Sequence, residues 1–144
     1  MIRHTLRALS AATLVIAPIA LTATPAHAVA SCRVNGFPAT GTTVVGTPGA
    51  DYITCGSLAA GDVVRGGGGD DYIVVTGTAA GTALGDTGRD HIRVNGSVAP
   101  GGVVGGGDQN DYLRVDANGG TVDGGTGLDV RRVDTGIPPV DCEA

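Results

Sequence analysis

Five aspartates, Asp51, Asp71, Asp90, Asp111 and Asp129, each close a short glycine-rich stretch, and they stand 20, 19, 21 and 18 residues apart. The clearest stretch is Gly66-Gly67-Gly68-Gly69-Asp70-Asp71, which runs straight into the apolar segment Tyr72-Ile73-Val74-Val75. A period in this range marks a stacked repeat. In a stack, equivalent carboxylates lie one strand spacing apart, ~4.8 Å. Two carboxylates ~5 Å apart repel by about 0.8 kcal/mol in water and about 3 kcal/mol at an effective dielectric of about 20. A hard cation between successive turns reverses the sign: Ca²⁺ takes about 6–8 oxygens, with carboxylates and exposed carbonyls as preferred ligands. Glycine reaches the positive-φ conformations that point carbonyls at an ion. The chemistry is therefore cation binding, set against the plainer reading that Asp-Gly pairs are good turn formers.

The elements that position these aspartates emerge when the repeats are aligned on them. Two residues after each Asp come Ile53, Ile73, Ile92 and Leu113, with Arg131 breaking the column. Four residues after come Cys55, Val75, Val94, Val115 and Val133; seven residues before come Val44, Val64, Ala83, Val104 and Val122. The alternation after each Asp is the period of a half-buried strand. Two short strands per repeat cannot bury an apolar face alone, but stacked repeats pair each strand in parallel with its equivalent one turn later. The pattern predicts an all-β parallel solenoid of about five turns rather than the competing antiparallel sandwich. Residues 29–45 are expected to cap it, with 32–45 as a partial first turn. Residues 46–133 form the solenoid, and 134–144, with Pro138-Pro139, close it.

The five turns resemble the haemolysin-type (RTX) calcium-binding repeat, Gly-Gly-x-Gly-x-Asp-x-U-x with U a large apolar residue. Residues 66–73 match every fixed position, and Gly124-Gly125-Thr126-Gly127-Leu128-Asp129 matches through the Asp. The resemblance spans residues 46–131. It implies a parallel β-roll, a right-handed solenoid with calcium held between turns on one edge. Asp51, Asp71, Asp90, Asp111 and Asp129 would give carboxylates. Gly66, Gly67, Gly69, Gly85, Gly88, Gly124 and Gly127 would give carbonyls. Five turns leave at most four slots, of which that between Asp71 and Asp90 fits best. Thr47 and Asp86 replace the second motif glycine, and Gln109 replaces the third. The opposite turns, such as 77–81 and 96–101, carry no Asp at a fixed place, so a single metal column is expected.

Composition bounds the rest. Residues 1–28 read as a secretory signal peptide: Arg3, His4 and Arg7, an apolar stretch, then the small-residue site Ala26-His27-Ala28. The apolar run is short for a membrane span and carries Pro18. The remaining chain holds 7 basic residues, all of them arginine, and 14 acids, a charge of −7 that argues against nucleic acid and anionic lipid. A secreted, extracellular protein is expected. Three cysteines suggest one disulfide and one leftover. Cys32–Cys55 is the pair at the same end, yet in a parallel stack Cys32 falls two residues off the Cys55 column. Either the first turn is irregular or the pairing differs, while Cys142 is either free or links two chains.

No nucleophile–histidine–acid set can be assembled, so an enzyme is not expected. The outward columns Tyr52, Tyr72, His91, Tyr112 and Thr54, Val74, Arg93, Arg114, Arg132 offer an aromatic ladder beside an arginine ladder. That face would either bind a glycan or other cell-surface partner, or simply stabilise the sheet by cross-strand stacking.

Overall fold

The computed structural model describes residues 30–139. The signal-peptide reading of 1–28, Cys142 and the end of the C-terminal cap lie outside them. The described residues form twelve strands: β1 Ala30–Val34, β2 Phe37–Gly41, β3 Thr43–Val45, β4 Tyr52–Cys55, β5 Val63–Gly68 and β6 Tyr72–Val75. They continue as β7 Thr82–Thr87, β8 His91–Val98, β9 Val103–Asp108, β10 Tyr112–Asn118, β11 Thr121–Thr126 and β12 Val130–Gly136. One sheet has the order β12-β10-β8-β6-β4-β1-β2 and the other β11-β9-β7-β5-β3. From β3 onward each strand pairs in parallel with its equivalent one turn later, which makes a β-solenoid of about five turns.

The apolar columns fill the space between the sheets. Ile53, Ile73, Ile92 and Leu113 are wholly buried, as are Val64, Val75, Ala83, Val94, Val104 and Val115. Each fully buried aliphatic side chain of Val, Leu or Ile size is worth about 1.5–3 kcal/mol, so a narrow interior of such residues holds the coil without large aromatics. Leu58, Ala79 and Val98 close the interior at the edge away from the aspartates. At the C-terminal end Arg131 occupies the inward position opposite Leu113 and donates from Nη1 to the Val122 carbonyl at 3.3 Å.

The N-terminal segment departs from the expected partial turn. Strand β1 is antiparallel to both β2 and β4. The cause is Asn35-Gly36, whose φ values of 52° and 84° make the two-residue turn that Asn-Gly favours in hairpins. Reversing the strand removes the cysteine offset. Cys32 lies directly opposite Cys55, with Cα atoms 4.1 Å apart and the sulfurs bonded. Closing this loop of 23 residues' separation contributes about 3 kcal/mol by chain entropy.

Candidate functional site

All five aspartates fall in one column on one edge of the solenoid, each 2–4% exposed. Their main chain and side chains form a ladder. The N–H of Asp51 donates to Asp71 Oδ1 at 2.8 Å, that of Asp71 to Asp90 Oδ1 at 2.8 Å, that of Asp90 to Asp111 Oδ1 at 2.7 Å, and that of Asp111 to Asp129 Oδ1 at 2.9 Å. The second oxygen is different. Oδ2 of Asp71, Asp90, Asp111 and Asp129 is buried without a hydrogen-bond partner.

Glycine is required where these oxygens sit. A β-carbon on Gly66 would overlap Asp71 Oδ2 and come within 2.6 Å of the Gly85 carbonyl oxygen in the next turn. Gly85 stands in the same relation to Asp90 Oδ2 and the Gly106 carbonyl, and Gly106 to Asp111 Oδ2 and the Gly124 carbonyl. Each of these slots therefore brings one unpartnered carboxylate oxygen and one main-chain carbonyl to the same small space. Gly124 packs likewise on Asp129, where no further turn follows among the described residues.

The charges feel this arrangement. Burial, only partly offset by the Asp51 N–H, pushes the Asp71 carboxyl up from 3.8 to about 6, with Asp90, Asp51 and Asp70 adding repulsion. Burial pushes Asp111 up to about 7, and its neighbours Asp90, Asp129 and Asp108 add to the rise against the Asp90 N–H. Asp90 is raised for the same reason, with Asp70 and Asp86 as the repelling neighbours. Asp51 alone goes the other way. Burial opposes it, but the Thr47 N–H, the Asn35 amide and the Thr47 hydroxyl together hold its carboxyl below the ordinary value.

The sequence-predicted glycines occupy the same turns. Gly67, Gly69, Gly88 and Gly127 have φ of 110°, 92°, 131° and 136°, the left-handed region that side chains disfavour. The departures keep the backbone of the motif: Asp86 and Gln109 take φ of 79° and 78° at their glycine positions. Asp86 is anchored there by a bidentate pair with Arg65, 2.5 and 2.8 Å. Three residues of the site, Asn35, Thr47 and Gly106, are not among those the sequence marks as ligands. Asn35 and Thr47 both bind the Asp51 carboxylate, and the signal for the first was the Asn-Gly hairpin dipeptide.

The donor set suits a hard cation: unpartnered carboxylate oxygens, adjacent carbonyls and no β-carbon in the way. Among the described residues no three carboxylate, imidazole or thiol side chains converge, so such an ion would draw mostly on main-chain carbonyls. Asp71, Asp90 and Asp111, with the carbonyls of Gly85, Gly106 and Gly124, are the residues that would hold it. The ion would supply charge neutralisation between turns.

On the outward face of the seven-stranded sheet, Tyr52 stacks on Tyr72 at 5.4 Å between ring centres and 10° between planes. Tyr72 meets His91 edge-on at 4.6 Å, and His91 meets Tyr112 at 4.6 Å. Arg93, Arg114 and Arg132 are in register beside them, and Asp134 pairs with Arg132 at 3.2 Å and Arg114 at 3.8 Å. The rings contact one another along the column, as cross-strand pairs do, while Tyr52 remains exposed.

Fold and edge together define a parallel β-solenoid with an aspartate–glycine ladder along one side. No family model matches the chain, and neither the curated proteins nor the solved structures compared with it give a match.

Proposed function

We propose that this protein binds calcium between its stacked Asp-Gly turns and that binding is coupled to folding, in the manner of the haemolysin-type repeat it resembles. The observation that carries the reading is the run of four buried aspartates, each with one carboxylate oxygen lacking any partner. A buried polar atom left unpaired costs about 1–3 kcal/mol, and more when charged. Repeating that cost at successive turns is tolerable only if the group is protonated or neutralised by a cation. At neutral pH the cation is the better answer for Asp71, whose carboxyl is pushed up only to about 6, and the alternating carbonyls provide the oxygen-rich surroundings calcium requires. Export would expose the chain to the millimolar calcium at which weak extracellular sites, with Kd of about 10⁻⁴–10⁻³ M, are filled.

The test is calorimetry on the chelated chain lacking residues 1–28, with magnesium as control. Binding heat for calcium that is reduced in Asp90→Asn supports the proposal. No heat from wild type at millimolar calcium sinks it. The glycan-binding alternative draws on the Tyr/Arg face, whose ring-to-ring contacts, one stacked and two edge-on, favour sheet stabilisation instead.

A further inference from the structure

The first aspartate of the column is built differently from the others. Asp51 Oδ1 accepts from Asn35 Nδ2 at 2.5 Å and from the Thr47 hydroxyl at 3.2 Å. Asp51 Oδ2 accepts from the Thr47 N–H at 2.5 Å and from the same hydroxyl at 3.0 Å. Both oxygens are thus occupied by protein donors, whereas Asp71, Asp90, Asp111 and Asp129 each keep one empty.

Asn35 is held firmly for this task. Its N–H donates to the Tyr52 carbonyl at 2.9 Å, and its side-chain oxygen accepts the Tyr52 N–H at 2.8 Å. The carboxamide is therefore oriented by strand β4 with its NH₂ turned to Asp51. The hairpin that carries Asn35 is tied to β4 by the Cys32–Cys55 bond. Thr47, a departure from the glycine motif, contributes the remaining donors.

We propose that the N-terminal hairpin is a metal-free end cap in which the Asn35 carboxamide gives Asp51 Oδ1 the donor that a preceding aspartate N–H gives in the later turns, and Thr47 serves Oδ2 as a cation serves it there. This rests on the calcium reading above and deepens it in two ways. The cation column begins at Asp71, so the complete slots are three: Asp71 with the Gly85 carbonyl, Asp90 with Gly106, and Asp111 with Gly124. The cap also gives folding a direction. Each turn offers its Asp N–H to the Oδ1 of the next, so a permanently folded first turn presents the Asp51 N–H as the docking point for Asp71. Calcium then sets the chain turn by turn from that template toward β12. Among the described residues the far end has no equivalent: Asp129 keeps its Oδ2 unpartnered.

The experiment is hydrogen exchange read by mass spectrometry on the disulfide-intact chain lacking residues 1–28, in chelator and in calcium, with calorimetric stoichiometry alongside. In chelator, peptides within 30–55 keep protection while those in β7–β12 exchange at least about tenfold faster than in calcium. Calorimetry gives three ions per chain. Asn35→Ala removes the chelator-resistant protection around residues 46–55 and raises the calcium midpoint several-fold. Asn35→Asp, which sets a carboxylate against Asp51, loses the same protection in chelator but recovers it in calcium. Calcium-dependent exchange that is uniform from β1 to β12, with Asn35→Ala behaving as wild type, would overturn the template while leaving the calcium reading intact. So would a stoichiometry of four. Full protection throughout in chelator would overturn both.

Discussion

Without calcium, the aspartate ladder predicts an inverted pH dependence of stability. The Asp71 and Asp111 carboxyls are pushed up to about 6 and about 7, and Asp90 is raised as well. Between the unfolded value of 3.8 and those folded values, the folded chain holds protons that the unfolded chain has lost. Stability therefore falls as pH rises through that window and levels off above it. A rise from 3.8 to about 6 corresponds to about 3 kcal/mol, and one to about 7 to about 4 kcal/mol. Solvent beside the turns screens these charges and the two groups share neighbours, so a net loss of about 3 kcal/mol is expected between pH 4.5 and 7.5. Two groups pull the other way. The lowered Asp51 carboxyl gives stability that disappears only below about pH 4, outside the range. His91, held below 6.5 by burial and by Arg93, gives stability that is lost as pH falls through 6.5, and His91→Gln removes it. The assay is far-UV circular dichroism with urea titration of the chelated His91→Gln chain at intervals from pH 4.5 to 7.5, where a transition that weakens or vanishes before pH 7.5 is the expected fall in stability. Stability that increases from pH 4.5 to 7.5 would contradict the expected fall, because the buried carboxyls would then ionise at no cost.

Asp111→Asn keeps the Oδ1 acceptor for the Asp90 N–H and puts an amide donor beside the Gly124 carbonyl. In chelator this variant is expected to be more stable than wild type by about 1–3 kcal/mol, and to gain less from calcium; denaturant titration with and without the ion checks both. Gly66→Ala drives a methyl into Asp71 Oδ2 and the Gly85 carbonyl, and should cost about 3 kcal/mol in the calcium-loaded protein by the same titration. Gln109→Gly relieves a non-glycine residue at φ 78° and should stabilise by about 1 kcal/mol, visible as a higher unfolding midpoint.

The stacked fold was legible because three apolar columns recur at fixed distances from the aspartates, and a column in sequence becomes a column in space once strands pair in parallel. The aspartate positions followed from the same register. What the register concealed was the first turn. Cys32 to Gly36 has the same spacing to Val44 as Ile92 to Gly96 has to Val104, which points to another parallel strand there. Asn35-Gly36 made a local turn that overrode the repeat, and the cysteine offset was the trace of that reversal. The state of the carboxylates was also out of reach. That each Oδ1 accepts the N–H of the preceding aspartate, leaving Oδ2 alone, depends on side-chain rotamers that spacing does not specify. The aromatic column was visible, but its use of ring against ring required the side chains.

The most direct test of the central claim is far-UV circular dichroism of the chain lacking residues 1–28, titrated with calcium after chelation and with magnesium as control. Calcium is expected to produce a gain of sheet signal that magnesium does not, and Asp71→Ala to abolish it. A chain whose spectrum is the same in chelator and in millimolar calcium would contradict it.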